Sequence, residues 1–564
     1  MFAKAELRFS ENGWVKCKQA TAGKYGKALD YHGAVYYTFI KSESMTKESK
    51  PKRPSRKILK QLPAEQSRSA GILLHITSLP SAFGIGDLGP EAEKFAMFLN
   101  QSGQRYWQIL PLNPTGEEHA HSPYSAGSGM AGNPLLISPE RMVKDGLLTQ
   151  QDLKKFYVTN HGKVNYREAA QVREILFEKA FRAFQGDQKT HAPFREFCKR
   201  EAYWLDDYAL YEVLKDQHDN KPWYEWPSPY KLRHAKSLGV INHFHQERMN
   251  KLKWLQYIFD KQWKELKAFC NNLNVLMFGD LPFYVSYDSC DVWSHPEIFS
   301  LDSRRNLKGI AGVPPDYFNS NGQRWGMPVF RWDALKKKEY RWWVDRVRKN
   351  FEFFDMVRLD HFRAFVSFWE VPAGEKNAAN GKWRRGPGAD FFKALDQKLG
   401  KLAFVAEDLG DVNAAVFALR DEFAFPGMKI LQFAFGSNMT TSEYIPHNYT
   451  PNFLVYTGTH DNNTTVGWWL KDSKQDERAN LKQYADDPGI SQNTIHLVLG
   501  RMAYASVAKT VILPLQDVMG LDENARMNTP ASVKLNWLWR LKPGQLVPAF
   551  KNQLLKWARL YNRI

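Results

Sequence analysis

The sequence predicts an α/β protein, a (β/α)8 barrel of the TIM type with a large, mostly helical insertion after the second strand and no separate C-terminal β-domain. Three observations predict it. Eight short apolar runs recur along the chain, amphipathic segments of helical period separate most of them, and the spacing is broken once, by roughly 160 residues between the second run and the third. Alternating strand and helix is what parallel β/α units require, and one crossover helix needs far fewer residues than that gap.

Taken in order, residues 1–67 differ in character from the rest. The segment 31–40 (YHGAVYYTFI) reads as a strand or hairpin arm, and the Lys/Arg/Ser/Pro-rich run 47–60 that follows cannot build a core. Residues 41–67 are therefore expected to be a flexible basic linker, with a transit or nucleic-acid-binding tail as the alternative, and the barrel is expected over 68–564. Its strand candidates are 71–77 (GILLHIT), 106–110 (YWQIL), 275–280 (VLMFGD), 355–360 (DMVRLD), 404–408 (FVAED), 429–433 (KILQF), 453–460 (FLVYTGTH) and 510–515 (TVILPL). Helical patterns such as 91–100, 254–271 and 341–351 lie between them. The insertion is placed at about 115–250. Past the eighth run only a short tail remains, in which 535–541 and 550–561 both read as helices.

Composition bounds the class. With 564 residues, 43% of them hydrophobic, the chain can bury one large core or two ordinary ones, which excludes a small stapled scaffold. The 19 Trp, 24 Tyr and 36 Phe are numerous enough that some flat rings can serve for stacking on sugars as well as for packing. A net charge of +18 admits nucleic acid as a partner, but a solvated basic coat and tail account for it equally, and no nucleic-acid partner is expected. Cys17, Cys198, Cys270 and Cys290 are far apart and form no CxxC pair, which fits a reducing compartment. No apolar run reaches the roughly 18 residues a membrane span needs, and the first residues lack a signal-peptide core.

Chemistry is signalled at the strand ends. The stretch 354–363 (FDMVRLDHFR) reads as a buried strand that ends in Arg358, Asp360, His361 and Arg363, groups costly to bury unless paired. Glu407 closes the fifth run and Asp461 follows the seventh. A lone acid at a strand end is ordinarily a helix cap or ion-pair partner, but barrels gather ligands and chemistry at the C-terminal ends of their strands, so these three acids would converge. Three acids around one pocket suit glycoside chemistry: one attacks the anomeric carbon, one protonates the leaving oxygen, and one steadies the ring as it becomes oxocarbenium-like. Arg358, two residues before Asp360 and on the same strand face, is placed to favour the ionised form of the attacking acid. Glu407 would need the opposite treatment, a raised pKa.

The segments VRLDHFRAF, FVAEDLG and YTGTHDNNT resemble those of glycoside hydrolase family 77, the 4-α-glucanotransferases called amylomaltases or disproportionating enzymes. The resemblance extends over roughly 71–541 through GILLHITSLPSAFGIGDLG, YWQILPLNP, AGNPLLIS, GDLPFYVSYDSCDVWSHPEIF and GVPPDYFNSNGQRWGMPVF. It implies Asp360 as nucleophile, Glu407 as general acid/base and Asp461 as transition-state stabiliser, with substrate contacts from Asp280, Arg358 and His460. It further implies that the loop 309–328 lies over the glucan, with Asp316, Tyr317, Phe318 and Trp325 as contacts, and that Tyr124 is an acceptor-side aromatic platform; read alone, Tyr124 could be a structural tyrosine. Ala364 stands where the family usually has Gly, Met327 where Asn is usual, and 128–130 is altered. The implied activity is a retaining transfer of α-1,4-glucan segments to glucose or maltooligosaccharides, acting in cytoplasm or plastid without a cofactor or metal. The rivals are an amylase-like hydrolase and a non-catalytic glucan- or RNA-binding protein. Oligomeric state is left open.

Two motifs read as decoys. Residues 84–89 (GIGDLG) match GxGxxG, but the glycines begin well past the strand, and the resemblance makes the segment a substrate-side loop. The pairs His119/His121 and His243/His245 lack a nearby carboxylate set, so they are expected to be solvent-exposed loop and helix residues and not metal ligands.

Overall fold

The computed structural model describes residues 27–29, 35–37, 68–187, 191–315, 320–532 and 534–564. The chain divides into two compact units, Met1–Ala64 and Glu65–Ile564. In the first, Lys27–Leu29 pairs antiparallel with Val35–Tyr37. The expected basic linker at 41–67 lies outside the described residues.

The second unit is built on eight parallel strands: β1 Ser69–Leu73, β2 Tyr106–Gln108, β3 Leu276–Leu281, β4 Met356–Leu359, β5 Phe404–Ala406, β6 Gly427–Ile430, β7 Phe453–Tyr456 and β8 Thr510–Pro514. Their hydrogen-bonded order is β5-β4-β3-β2-β1-β8-β7-β6, so each strand neighbours the next in sequence and β8 returns to β1. The Ala406 N–H donates to the Pro426 carbonyl at 2.9 Å, linking β5 to the residue just before β6 and nearly closing the barrel. Every apolar run therefore becomes a strand, because strands covered on both faces read as continuous Val/Ile/Leu sequence. Several strands are shorter than their runs. After Leu73 the apolar residues Leu74 and Ile76 continue into a buried turn that leaves the ladder, and after Tyr456 the buried Thr457 does the same.

Register positions the site. Asp280 of β3 lies opposite Arg358 of β4, while Leu359 is flanked by Leu281 on one side and Ala406 on the other. Asp360 and Glu407 each follow the last ladder residue of neighbouring strands, so they leave the sheet at the same level.

Between β2 and β3 the chain is mostly helical, with Tyr166–Gly186, His191–Gln217, Ala235–Phe244 and Gln246–Asn272 as its longer helices. Asn165 starts the first by accepting from the Glu168 N–H at 3.2 Å. Apolar faces such as Trp254, Phe259, Trp263 and Leu266 join the main core, where each fully buried large side chain contributes about 1.5–3 kcal/mol. Buried ion pairs fix the register: Arg173 reaches Asp87 at 3.3 Å and the Phe83 carbonyl at 2.8 Å, and Lys349, on the helix Arg341–Phe353 before β4, reaches Glu201 at 3.0 Å. Breaking such a pair strands a charge in the core.

Three expectations need correction. The loop expected at 309–328 contains two strands, Gly309–Val313 and Gln323–Pro328, which join Ser367–Pro372 and Lys382–Arg385 in a four-stranded antiparallel sheet. Gly and Pro at its turns mask a strand pattern that only long-range pairing with 367–372 completes. The segment 535–541 is not a helix. Leu535 and Trp537 have φ of +61°, and the Asn536 side chain accepts from the Thr529 N–H and donates to the Thr529 and Ser532 carbonyls, so local side-chain bonds replace helical ones. The second tail segment does fold as the helix Pro548–Leu560. Finally, 84–89 is absent from the cleft wall. Gly84 has φ +79° against Ala169, and a Cβ on Gly86 would stand 1.9 Å from the Ile76 carbonyl oxygen, so these glycines permit close chain packing.

Candidate active site

A cleft of about 1050 Å³ opens at the C-terminal ends of the strands, and Arg358, Asp360, Glu407 and Asp461 all line it. Its floor is a charge network. The Arg358 guanidinium donates to both Asp280 oxygens at 2.9 and 2.7 Å and stands 3.0 Å from Asp360 Oδ1. Arg358 thus ties β3 to the end of its own strand. Asp280 has no exposed side-chain surface; its Oδ2 also accepts from the Tyr124 hydroxyl at 2.7 Å, so it meets the cleft only through Arg358 and Tyr124.

Tyr124 is the junction between this floor and the β7 side. Because its O–H is given to Asp280, its oxygen is left to accept from His460 Nε2, 2.8 Å away, which assigns the proton of the neutral imidazole to Nε2. Burial lowers the pKa of His460 and keeps it neutral. The same nitrogen is 3.3 Å from Asp461 Oδ2. Asp461 is held from the chain after β8: Asn528 Nδ2 donates to Asp461 Oδ1 at 2.6 Å, and Arg526 donates to the Asp461 carbonyl at 2.8 Å and to the Asn528 carbonyl at 2.7 Å.

Glu407 has a different setting. Its Oε2 accepts from the His361 N–H at 2.9 Å and its Oε1 from the Leu409 N–H at 3.3 Å, and among the described residues no cationic side chain bonds it. Burial is the largest influence and pushes its pKa up to about 8; Arg358 opposes this and the negative charges of Asp360 and Asp408 add to it. Burial also raises Asp360, to about 6, against the pull of Arg358 at bonding distance, with Asp280 and Asp461 as further negative neighbours. Arg358 stands 3.0 Å from Asp360 and makes no ion pair with Glu407, so the rise at Asp360 is the smaller. Near neutral pH the arrangement holds one ionised and one protonated carboxyl on adjacent strands.

Trp325, Tyr284, His361 and Trp537 supply ring surface around the cleft. His361 has φ +52°, and burial lowers its pKa to about 3, so it is a neutral wall beside Tyr284 and Trp325. Of the residues expected here, Tyr124, Trp325, Arg358, Asp360, Glu407 and Asp461 line the cleft, whereas His460 faces a small chamber beneath it and Asp280 is enclosed. Asp316, Tyr317 and Phe318 lie outside the described residues. Arg363 turns away: its guanidinium sits 4.0 Å over Trp383 and pairs with Asp411.

Arg526, Asn528 and Trp537 were not singled out from the sequence, and His361 was noted only as a polar group at the end of the strand. His361 adjoins Asp360 in the same motif, and the turn-forming 528–532 (NTPAS) could have marked a loop instead of a helix. The family departures have structural settings. Met327 lines the cleft, Ala364 is buried, and Ser128 Oγ accepts from the Met130 and Ala131 N–H groups while the Gly129 N–H donates to Asp291. His119 and His121 are half-buried and not exposed: His119 reaches Ser286 Oγ at 3.1 Å, and His121 stacks on Tyr166 with 3.8 Å between centroids. His243 is exposed on its helix. Among the described residues no group of three or more His, Cys, Asp or Glu side chains is arranged to hold a metal ion, and no helix is long and apolar enough to cross a membrane.

Comparison with known proteins gives a consistent result. A family model described as 4-alpha-glucanotransferase matches residues 74–546. A 4-alpha-glucanotransferase of Synechocystis sp. is 43% identical over 501 residues, 88% of this chain and 98% of that protein. A chloroplastic/amyloplastic 4-alpha-glucanotransferase of Solanum tuberosum is 40% identical over 84% of this chain and 82% of its own. Among solved structures, the amylomaltase from Streptococcus agalactiae in complex with acarbose superposes with a TM-score of 0.84 at 35% identity, covering 88% of this chain and 99% of that one.

Proposed function

The chain belongs to the 4-alpha-glucanotransferase family and transfers α-1,4-glucan segments between maltooligosaccharides, and from that premise we propose that Asp360, Glu407 and Asp461 carry a retaining double displacement. One observation supports this most: neighbouring strands hold two carboxyls in opposite settings, Asp360 against the Arg358 cation and Glu407 against backbone N–H groups alone.

In the first step an Asp360 oxygen attacks C1 of the donor sugar as the bond from C1 to the leaving oxygen breaks. The Glu407 proton passes to that oxygen, freeing the shortened glucan with a 4-hydroxyl. Asp360 is now an uncharged ester. Its negative charge had helped to raise Glu407, so esterification lowers the pKa of Glu407 and prepares it to act as a base. In the second step Glu407 takes the proton of an acceptor 4-hydroxyl, the acceptor oxygen attacks C1, and the Asp360 carboxylate departs. Two inversions give net retention. Asp461, clamped by Asn528, faces the ring as positive charge develops. Arg358 contacts substrate and holds Asp360 ionised; Asp280 positions Arg358 and Tyr124. Trp325 and Tyr124 offer ring faces to the bound glucan, and Asp316, Tyr317 and Phe318 are further contacts. Carboxylate chemistry completes both steps without a metal or cofactor. We place the reaction in a reducing cytoplasm, which the free thiols Cys198, Cys270 and Cys290 fit, with a plastid as the alternative.

Incubation with maltotriose tests the assignment. Native protein yields glucose together with longer maltooligosaccharides, and Asp360→Asn stays folded and makes neither. Products that are only shorter than the substrate would show a hydrolase, and an active Asp360→Asn would remove Asp360 from its role.

A further inference from the structure

Next to the Asp461 loop is a second recess, of about 390 Å³. Asn536 lines both it and the cleft, and Arg526, which clamps Asp461 and Asn528, forms part of its wall. The recess is strongly cationic. Lys163 from the insertion, Lys471 from the helical segment Trp468–Asp472, and Arg526 and Lys534 from the loop after β8 all line it, against one acid, Glu523. Neutralisation is incomplete: Glu523 stands 3.7 Å from Lys471, and among the described residues Lys163 and Lys534 form no ion pair. Unpaired cations from separate segments around one concavity create a focused positive potential, which draws a compact anion.

Two further features describe what the anion is attached to. Leu535, Leu538 and Trp539 make one side of the recess apolar, a surface suited to the carbon face of a sugar. Asn463 also lines it. Its side chain is 7% exposed and its Nδ2 donates to Asp472 Oδ2 at 3.1 Å, which gives the recess a mostly buried polar edge. A free phosphate dianion has no use for an apolar wall, whereas a sugar has a carbon face that can cover one.

We propose that this recess binds a phosphate monoester carried on a sugar, with Lys163, Lys471 and Lys534 taking the phosphate and the side formed by Leu535, Leu538 and Trp539 facing the sugar. Only the extension to phosphate-bearing glucans rests on the transferase reading; phosphate-ester binding itself does not.

The test is calorimetric titration of the full chain with glucose 6-phosphate and, separately, with inorganic phosphate, at ionic strength fixed with sodium chloride. Asp360→Asn protein saturated with maltotriose is used so that the cleft is occupied. Glucose 6-phosphate is expected to bind more tightly than phosphate. The Lys163→Ala/Lys534→Ala double variant should lose about tenfold or more of that affinity, as expected when hydrogen bonds from charged groups are removed. In an otherwise native background, the double variant should disproportionate maltotriose at the native rate. Equal affinity for phosphate and its ester would make free phosphate the occupant and overturn the sugar assignment. No heat beyond the chloride control, or undiminished binding by the double variant, would overturn the site. Because disproportionation is read separately, loss of this site leaves the transferase assignment standing, and failure of the transferase assignment leaves this site to be judged on binding alone.

Discussion

The β3–β5 side of the cleft and its β7–β8 side carry acids held in different ways. On the first, Asp280, Arg358, Asp360 and Glu407 sit on or directly beyond strands whose register is fixed by backbone ladders, and their electrostatics come from burial and one shared guanidinium. On the second, Asp461 lies on a loop and is steadied by another loop through Asn528 and Arg526. One side is preorganised by the barrel and the other by loop-to-loop hydrogen bonds. Under the proposed mechanism, the chemistry that needs fixed distances, attack and proton transfer, falls on the barrel side, and charge stabilisation on the adjustable side.

Substitutions can break or sharpen that contrast, and the largest effect should come from the barrel side. Glu407→Gln should lower maltotriose turnover by about 10²–10⁴-fold, the usual contribution of a general acid. With maltosyl fluoride, whose leaving group needs no proton, the first step should survive and the glycosyl-enzyme should be detectable by mass spectrometry. Arg358→Met should cost about 3–5 kcal/mol of stability in denaturant unfolding, because it leaves Asp280 charged and unpaired in the barrel. Adding Asp280→Asn should recover much of that stability and none of the activity. On the loop side, Asn528→Ala should reduce turnover by about tenfold to a hundredfold, the worth of a hydrogen bond to a charged group, with little change in unfolding midpoint. If Asn528→Ala unfolds the protein as readily as Arg358→Met, the two sides are not built differently.

The pH profile of kcat/KM should be bell-shaped, with limbs near 6 and 8. As pH falls through the lower value, Asp360 takes up a proton and ceases to attack; as pH rises through the upper value, Glu407 loses the proton it must donate. Both limbs belong to the coupled pair. Asn528→Ala should leave them in place and lower the plateau alone. The smallest effect is expected far from either side, at the exposed partner of Arg363: Asp411→Ala should change stability by about 1 kcal/mol or less.

The same division explains what the sequence disclosed. All eight strands were legible because each is an apolar run too short for a helix, and Asp360, Glu407 and Asp461 stood out as charges at the ends of such runs. The fold that places them is set by local patterns repeated eight times. Asn528, Arg526 and Trp537 were not legible, because their positions depend on contacts with Asp461 and Tyr124 that no local pattern encodes. The segment 535–541 misled for a related reason: its closely spaced apolar residues, Leu535, Trp537, Leu538, Trp539 and Leu541, read as a helix, but Asn536 satisfies the loop backbone instead. Asp280 was identifiable as a strand-end acid, while its enclosure by Arg358 and Tyr124 required three-dimensional neighbours to be known.

The hydrogen bond from the His361 amide to Glu407 has a reach beyond electrostatics. His361 is the residue next to Asp360, so under the proposed mechanism the span between the two reacting carboxyls is gauged by main chain, like the fixed jaw of a caliper. Stereochemical outcome and substrate preference are thereby separable traits. Rebuilding the aromatic walls can redirect the enzyme toward other acceptors, water included, while every product keeps the anomeric configuration of its donor. Changing that configuration would require inserting or deleting backbone between β4 and the turn that follows it.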